Sequence, residues 1–361
     1  MKPKTTKKYS ILATLLALCL TAMPVYAHGA GCACSSFRGT GLGGPIITIP
    51  AYTMSKGVTS LGFGFSYLNM GRLTPTQINR VIRSGEHADD SAGSFSPSLS
   101  LAHGLTDKFS LAASLPFNFS YDFREVHDEL EGLGDSIGLG DLTVMGQYMF
   151  YNEHNTQLAL LGGVKLPTGN TNVYGNTGER FEQLNQPGSG STDPLFGFAA
   201  SHQFGSWGLD FNTLYKLATE GDQDTDIGDV VNFNLAASYA LNHEHEADVF
   251  SHAHDEHDDH SDHEIHHRFL EHIFPEHIGD NHLTWDFILE ANATWEEAPE
   301  VSEQKDANHG GTTILLTPGI RATVNDSWVY NLALGFPIIE DLRGEQGGTD
   351  LQLFFGVATS F

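Results

Sequence analysis

Twelve of the chain's nineteen histidines fall within residues 243–282, among twelve acidic side chains and a single basic one, Arg268. They are His243, His245, His252, His254, His257, His260, His263, His266, His267, His272, His277 and His282. Neutral imidazole together with carboxylate is the ligand set that suits divalent first-row metals. Between His252 and His263 the imidazoles recur two and three residues apart, so many combinations offer several nitrogens to one ion. No zinc-finger or catalytic-zinc spacing is present. The composition implies weak, exchangeable sites for Zn²⁺, Ni²⁺, Co²⁺ or Cu²⁺, with copper tightest by intrinsic order. So polar a run cannot bury itself, which predicts a disordered, solvated loop. The blander reading is a linker, or a tract that loses negative charge as its imidazoles protonate near about pH 6 to 7.

A second candidate set is His28, Cys32 and Cys34, where an imidazole, two thiolates and a free amine could hold Cu(I) or Zn²⁺. The competing readings are a flexible leader or lipid attachment at Cys32. That amine exists because residues 1–27 read as a secretory signal peptide: Lys2, Lys4, Lys7 and Lys8, an apolar core over 11–23, then Val25-Tyr26-Ala27 as the cleavage site. Cys19 leaves with it, and two cysteines are too few for a disulfide scaffold. Removing the four lysines takes the formal charge from −27 to about −31, which argues against nucleic acid as a partner. No later stretch reaches the roughly 18 apolar residues of a transmembrane helix. A membrane location therefore requires strands.

The elements that must carry these ligands show period two. From Val58 onward, segments of about ten residues alternate apolar with polar or small side chains and end in Gly-, Asn-, Asp- and Thr-rich connections. In the clearest, Leu283, Trp285, Phe287, Leu289, Ala291, Ala293 and Trp295 share one face; Asp286, Glu290, Asn292, Thr294 and Glu296 share the other. At about 3.3 Å per residue and a tilt near 40°, Trp285 and Trp295 stand roughly 25 Å apart, the height of an outer-membrane apolar band. The fold expected is all-β, a transmembrane antiparallel barrel of about 12 strands, an even number as bacterial barrels require. The strands are placed at 57–70, 94–105, 108–121, 139–151, 156–167, 193–204, 206–219, 229–242, 282–296, 311–324, 327–338 and 349–361. A soluble antiparallel sandwich is the alternative, and the terminal Phe361, of the kind that barrel-assembly machinery recognises, argues against it.

The organisation is then signal peptide 1–27, an N-terminal periplasmic segment or plug over 28–56, and a barrel over 57–361 that carries the loop 243–282. Connections after odd strands are long (71–93, 122–138, 168–192, 220–228, 297–310, 339–348), whereas those after strands two, four, six and ten are tight. With both termini in the periplasm, long connections face outward and the histidine run replaces a short periplasmic turn. No nucleophile elbow or phosphate-binding glycine loop is present, His103 has no evident partner in sequence, and the chain reads as a non-enzyme that requires no cofactor.

His103-Gly104-Leu105-Thr106-Asp107, Leu115-Pro116, Gly138-Leu139-Gly140-Asp141-Leu142 and Lys165-Leu166-Pro167-Thr168-Gly169 follow in order. This succession resembles the MetA-pathway phenol-degradation family of outer-membrane transporters, from about residue 57 to the C-terminus. The resemblance implies a transport barrel without fixing its cargo. The expected function is a passive channel whose periplasmic loop binds transition metal, with Asp210, Asp286 and Glu290 making the lumen favour cations and Lys165, Lys216 and Arg321 as inward-pointing bases. The alternatives are a channel for small hydrophobic or aromatic solutes with the loop as a metal buffer, and a non-transporting metal-binding or structural barrel. The partners expected are outer-membrane lipid, transition-metal ions or small hydrophobic solutes, and the assembly machinery.

Overall fold

The computed structural model describes residues 45–241, 283–325 and 327–361. His28, Cys32, Cys34, the twelve histidines of 243–282 and the signal segment lie outside those residues. In chain order the elements are β1 (Thr59–Met70), α1 (Pro75–Ser84), β2 (Ala88–Asp90), β3 (Gly93–Thr106), β4 (Phe109–Val126), β5 (Leu130–Leu139), β6 (Leu142–Glu153), β7 (Thr156–Leu166) and β8 (Asp193–Phe204). There follow β9 (Trp207–Lys216), β10 (Thr225–Asp226), β11 (Val230–Leu241), β12 (Leu283–Glu296), β13 (Glu300–Val301), β14 (Gln304–Lys305), β15 (Gly311–Val324), β16 (Trp328–Leu342) and β17 (Thr349–Ser360).

Twelve strands close into an antiparallel barrel in the order β1, β3, β4, β6, β7, β8, β9, β11, β12, β15, β16, β17, sealed where Ser60–Met70 of β1 pair with Thr349–Ser360 of β17. The alternation read from sequence sets which face is which. Phe287 is 55% exposed on the outside, as are Leu99, Leu160, Phe196, Phe233 and Leu332, while Asn212, Asn234, Glu290, Thr317 and Asn331 are buried inside. Polar groups inside and apolar groups outside invert the arrangement of a soluble protein. Only a lipid surround makes that inversion favourable, at about 25 cal/mol per Å² of apolar surface kept from water.

One rim, called near, carries Thr59, Ser360 and four tight turns, including His154-Asn155 with both φ angles positive (51° and 58°), as a type I′ hairpin demands. The connection 242–282 leaves β11 and enters β12 on this same rim. The far rim carries the long connections. Two of these are more structured than expected. Residues 122–138 are not a loop: β4 runs on to Val126 and pairs with β5, which continues the line of β6 across Gly140-Asp141. Its glycines and charges masked the alternation, and Gly134, at φ 92°, sits beside a register shift. Residues 71–93 contain α1, whose Thr74 and Gln77 form a reciprocal capping box with Pro75 at the first turn and Gly85, at φ 69°, ending it. Val81 packs on Leu73, Ala88 and Val126. β10, β13 and β14 form a small separate sheet.

Candidate functional site

The lumen is occupied by the chain itself. Residues 45–56 run inside the barrel, and the buried carboxylate of Glu290 on β12 holds their start: the backbone N–H groups of Ile47 and Thr48 donate to it at 3.0 and 2.9 Å, the Thr48 hydroxyl at 2.8 Å, and the Ile46 N–H also donates. Successive N–H groups at a bend form a concave anion nest, here closed on a side chain. Asn292 supplies a further donor at 3.2 Å and passes the network on to Asn234 and Asn212. Further along, the N–H of Ile49 donates to Asn212 (2.8 Å), that of Ala51 to Ser201 (2.8 Å) and that of Met54 to Ser110 (2.7 Å). Gln147 donates to the carbonyls of Pro50 and Tyr52, and Arg321 to that of Pro45. The segment has no ladder of its own, and wall side chains satisfy its backbone instead.

Apolar contact adds to this. Ile46 and Ile47 pack on the inward-facing Ile288, Ala333 and Phe354, while Ile49 and Ala51 pack on Met145, Leu161, Leu195 and Leu214 across the barrel. Each buried isoleucine contributes about 1.5–3 kcal/mol. Two wall glycines give it room: a Cβ on Gly319 would lie 2.4 Å from Ile46 Cδ1, and one on Gly104 would lie 2.1 Å from the Ser55 carbonyl oxygen. Between segment and wall remains a cavity of about 70 Å³, bordered by Tyr52, Met54, Ser110, Gln147 and Arg321. That is room for roughly a handful of waters.

A second obstruction comes from the far rim. The connection 167–192 folds inward, so that Gln183, Asn185, Gln186, Ser189 and Ser191 are buried. Lys165 on β7 anchors it: its ammonium meets Asp193 at 2.5 Å and Asp141 at 3.6 Å, and donates to Ser189 and Ser191. Asp141 also accepts from the N–H of Gly169 and the N–H and hydroxyl of Ser189, and Asn118 donates to the Pro187 carbonyl.

These contacts assign the sequence-derived lumen residues. Lys165, Lys216 and Arg321 do point inward and are buried. Of the acids expected to favour cations, Glu290 holds the segment, Asp210 accepts from Ser201 at 2.5 Å and Asp286 lies 3.9 Å from Arg321. Each of the three thus has a partner within the barrel. His103 finds a partner in Thr59, 2.9 Å away across β1–β3, which ties the two strands at the near rim.

A closed twelve-stranded barrel with a lipid-facing apolar wall, a polar occluded lumen and short turns on the rim where β1 begins and β17 ends is an outer-membrane β-barrel. Residues 122–269 match the family model described as "Putative MetA-pathway of phenol degradation", so this part of the chain is similar to that family. Among solved structures it is similar to an outer membrane channel from Pseudomonas putida F1, at 14% identity over 86% of this chain and 98% of that one, with a TM-score of 0.56. That likeness is one of fold. The CymD monoaromatic hydrocarbon channel aligns at 11% identity over 91% of this chain and 97% of that one, with a TM-score of 0.38. No curated protein matches the chain in sequence.

Proposed function

We propose that the chain is a passive outer-membrane channel for small, largely apolar solutes, closed at rest by residues 45–56 and by the inward connection 167–192. The observation that carries this reading is the Glu290 nest. A structural barrel has no need to thread the segment before β1 through the lumen, and a closure held by hydrogen bonds and apolar contacts rather than by wall strands can be displaced. The family description, with its reference to phenol, supports an aromatic cargo. The isoleucines, Tyr52 and Met54 beside the cavity would offer it apolar contact once the segment shifts. The acidic histidine run 243–282 is read as a gatherer of transition metal on the side of the near rim.

The test is conductance in planar bilayers and phenol uptake into liposomes, comparing the natural chain with Glu290→Gln. The variant should raise open-state conductance and phenol entry several-fold. Identical, near-zero values for both proteins would point to a non-transporting barrel. Zinc binding to the chain with and without residues 244–281 tests the metal reading, and retained binding capacity would move the sites elsewhere.

A further inference from the structure

The far rim holds a cluster that the closed lumen does not use. His87, between α1 and β2, directs Nε2 toward three carboxylates from three parts of the chain: Glu125 of β4 at 3.1 Å, Asp89 of β2 at 3.3 Å and Glu182 of the inward connection at 4.0 Å. The donor atoms of His87, Glu125 and Glu182 all lie within 4.8 Å of one another. Four ligands about 2.1 Å from a tetrahedral ion stand roughly 3.4 Å apart, so the separations from Nε2 bracket the value a zinc-like ion imposes.

One imidazole N–H can satisfy one acceptor, and three face it. Asp89 makes the shortfall concrete. Its side chain is only 5% exposed; Asn185 donates to Oδ2, while Oδ1, on the His87 side, is buried without a hydrogen-bond donor. His87 Nε2 is likewise buried without an adequate hydrogen bond. A buried carboxylate oxygen aimed at an imidazole nitrogen and left undonated is an arrangement that a cation completes. The surroundings hold the ligands in place: Asn308 donates to the His87 carbonyl at 2.7 Å, and Glu86 lies on the other side of the same amide. The remaining titratable neighbours are already paired, His309 with Asp306 at 2.6 Å. The Glu182 side chain is half exposed and gives an entry path.

We propose that His87, Glu125 and Glu182, with Asp89 beside them, form a site for a divalent first-row transition metal of the zinc class, and that its occupancy pins the inward connection. Glu182 immediately precedes Gln183, Asn185, Gln186 and Ser189, the buried residues that obstruct the far half of the lumen. A metal bridging Glu182 to β2 and β4 cross-links that connection to the wall. The described residues that flank the histidine run, Leu241 of β11 and Leu283 of β12, are on the opposite rim.

The experiment has two readouts on the full chain in detergent, and neither uses transport, so failure of the channel reading is distinguishable from failure here. In crystals soaked with ZnCl₂, anomalous difference maps at the zinc edge should place a peak about 2.1 Å from His87 Nε2. The peak should be absent in His87→Ala and in Glu182→Gln, whose exposed site makes misfolding no obstacle. Hydrogen exchange of residues 183–191 should slow about tenfold on adding zinc to the natural chain, equivalent to about 1.4 kcal/mol, and be unchanged in both variants. No peak at this position, with or without zinc elsewhere, overturns the site. A peak with unaltered exchange overturns the pinning.

Discussion

The two obstructions in the lumen differ in how they are held. Residues 45–56 join the wall through β1 and are secured by neutral donors on a carboxylate, by carbonyl acceptors and by isoleucine packing. The connection 167–192 is attached at both ends and secured by a buried ammonium between two aspartates. A connection between two paired wall strands has little closure entropy left to lose and is anchored by an ion pair, whereas the segment before β1 is ordered by hydrogen bonds and apolar packing. The segment is therefore the part that yields first, and the far-rim connection is the more permanent constriction.

Lys165→Met tests the more permanent side and should have the largest effect. Leaving Asp193 and Asp141 buried without their cation costs about 3–5 kcal/mol, to be read as a lowered urea midpoint in detergent with residues 183–191 newly open to exchange. Resistance as high as that of the natural chain would mean that the ammonium does not hold the connection. Glu290→Gln addresses the other side: replacing a charged acceptor weakens several bonds worth about 1.5–3 kcal/mol each, and should free residues 45–54 for exchange while leaving 183–191 protected. Loss of protection in both regions would join what the comparison separates.

A glycine pair sharpens the contrast at about 1–3 kcal/mol each. Gly104→Ala drives a methyl group into the Ser55 carbonyl and should loosen only the segment. Gly188→Ala meets the Gly169 backbone at 2.6 Å and should loosen only the connection. Protease mapping of the two variants checks this, and crossed effects would break it. The smallest effect concerns pH. Burial works against charge on His87, but Asp89, Glu182 and Glu125 outweigh it and raise its pKa to about 9. Because the folded value lies above the ordinary 6.5, the contribution is complete below about pH 6.5 and is lost as pH rises through about 9. In EDTA, tryptic cleavage at Arg180 should therefore quicken between about pH 8 and pH 10 in the natural chain and show no such step in His87→Ala.

Much of the wall was legible. The face containing Phe287 and the face containing Glu290 follow from period two alone, and β8 and β15 have the bounds the pattern placed for them. α1 had a visible signature in Thr74-Pro75-Thr76-Gln77, a capping box that a search for strands passes over. The far half of β4 and β5 was missed because the glycines that permit its shifts resemble a loop. For the segment 45–56, the described part of 28–56, the sequence leaves open whether it forms a periplasmic segment or a plug. Its backbone is satisfied by Glu290, Asn212, Ser201 and Ser110, residues scattered over the chain that only barrel closure brings together. The His87 cluster was invisible for the same reason: a lone histidine beside acids has no spacing to read, and Glu125 and Glu182 reach it only through the fold.

The seam between β1 and β17 carries a consequence for biogenesis. The residues just before β1 lie inside the cylinder, and the strand that seals it follows every other wall strand in chain order. The leader must therefore already rest in the curling sheet when the two ends zip, or be fed afterwards through the rim of the termini. In the first case Glu290, well before the final strand, serves as the hook that keeps the leader from being stranded outside. A variant without that hook would close into a sound cylinder whose lumen keeps only the inward connection 167–192.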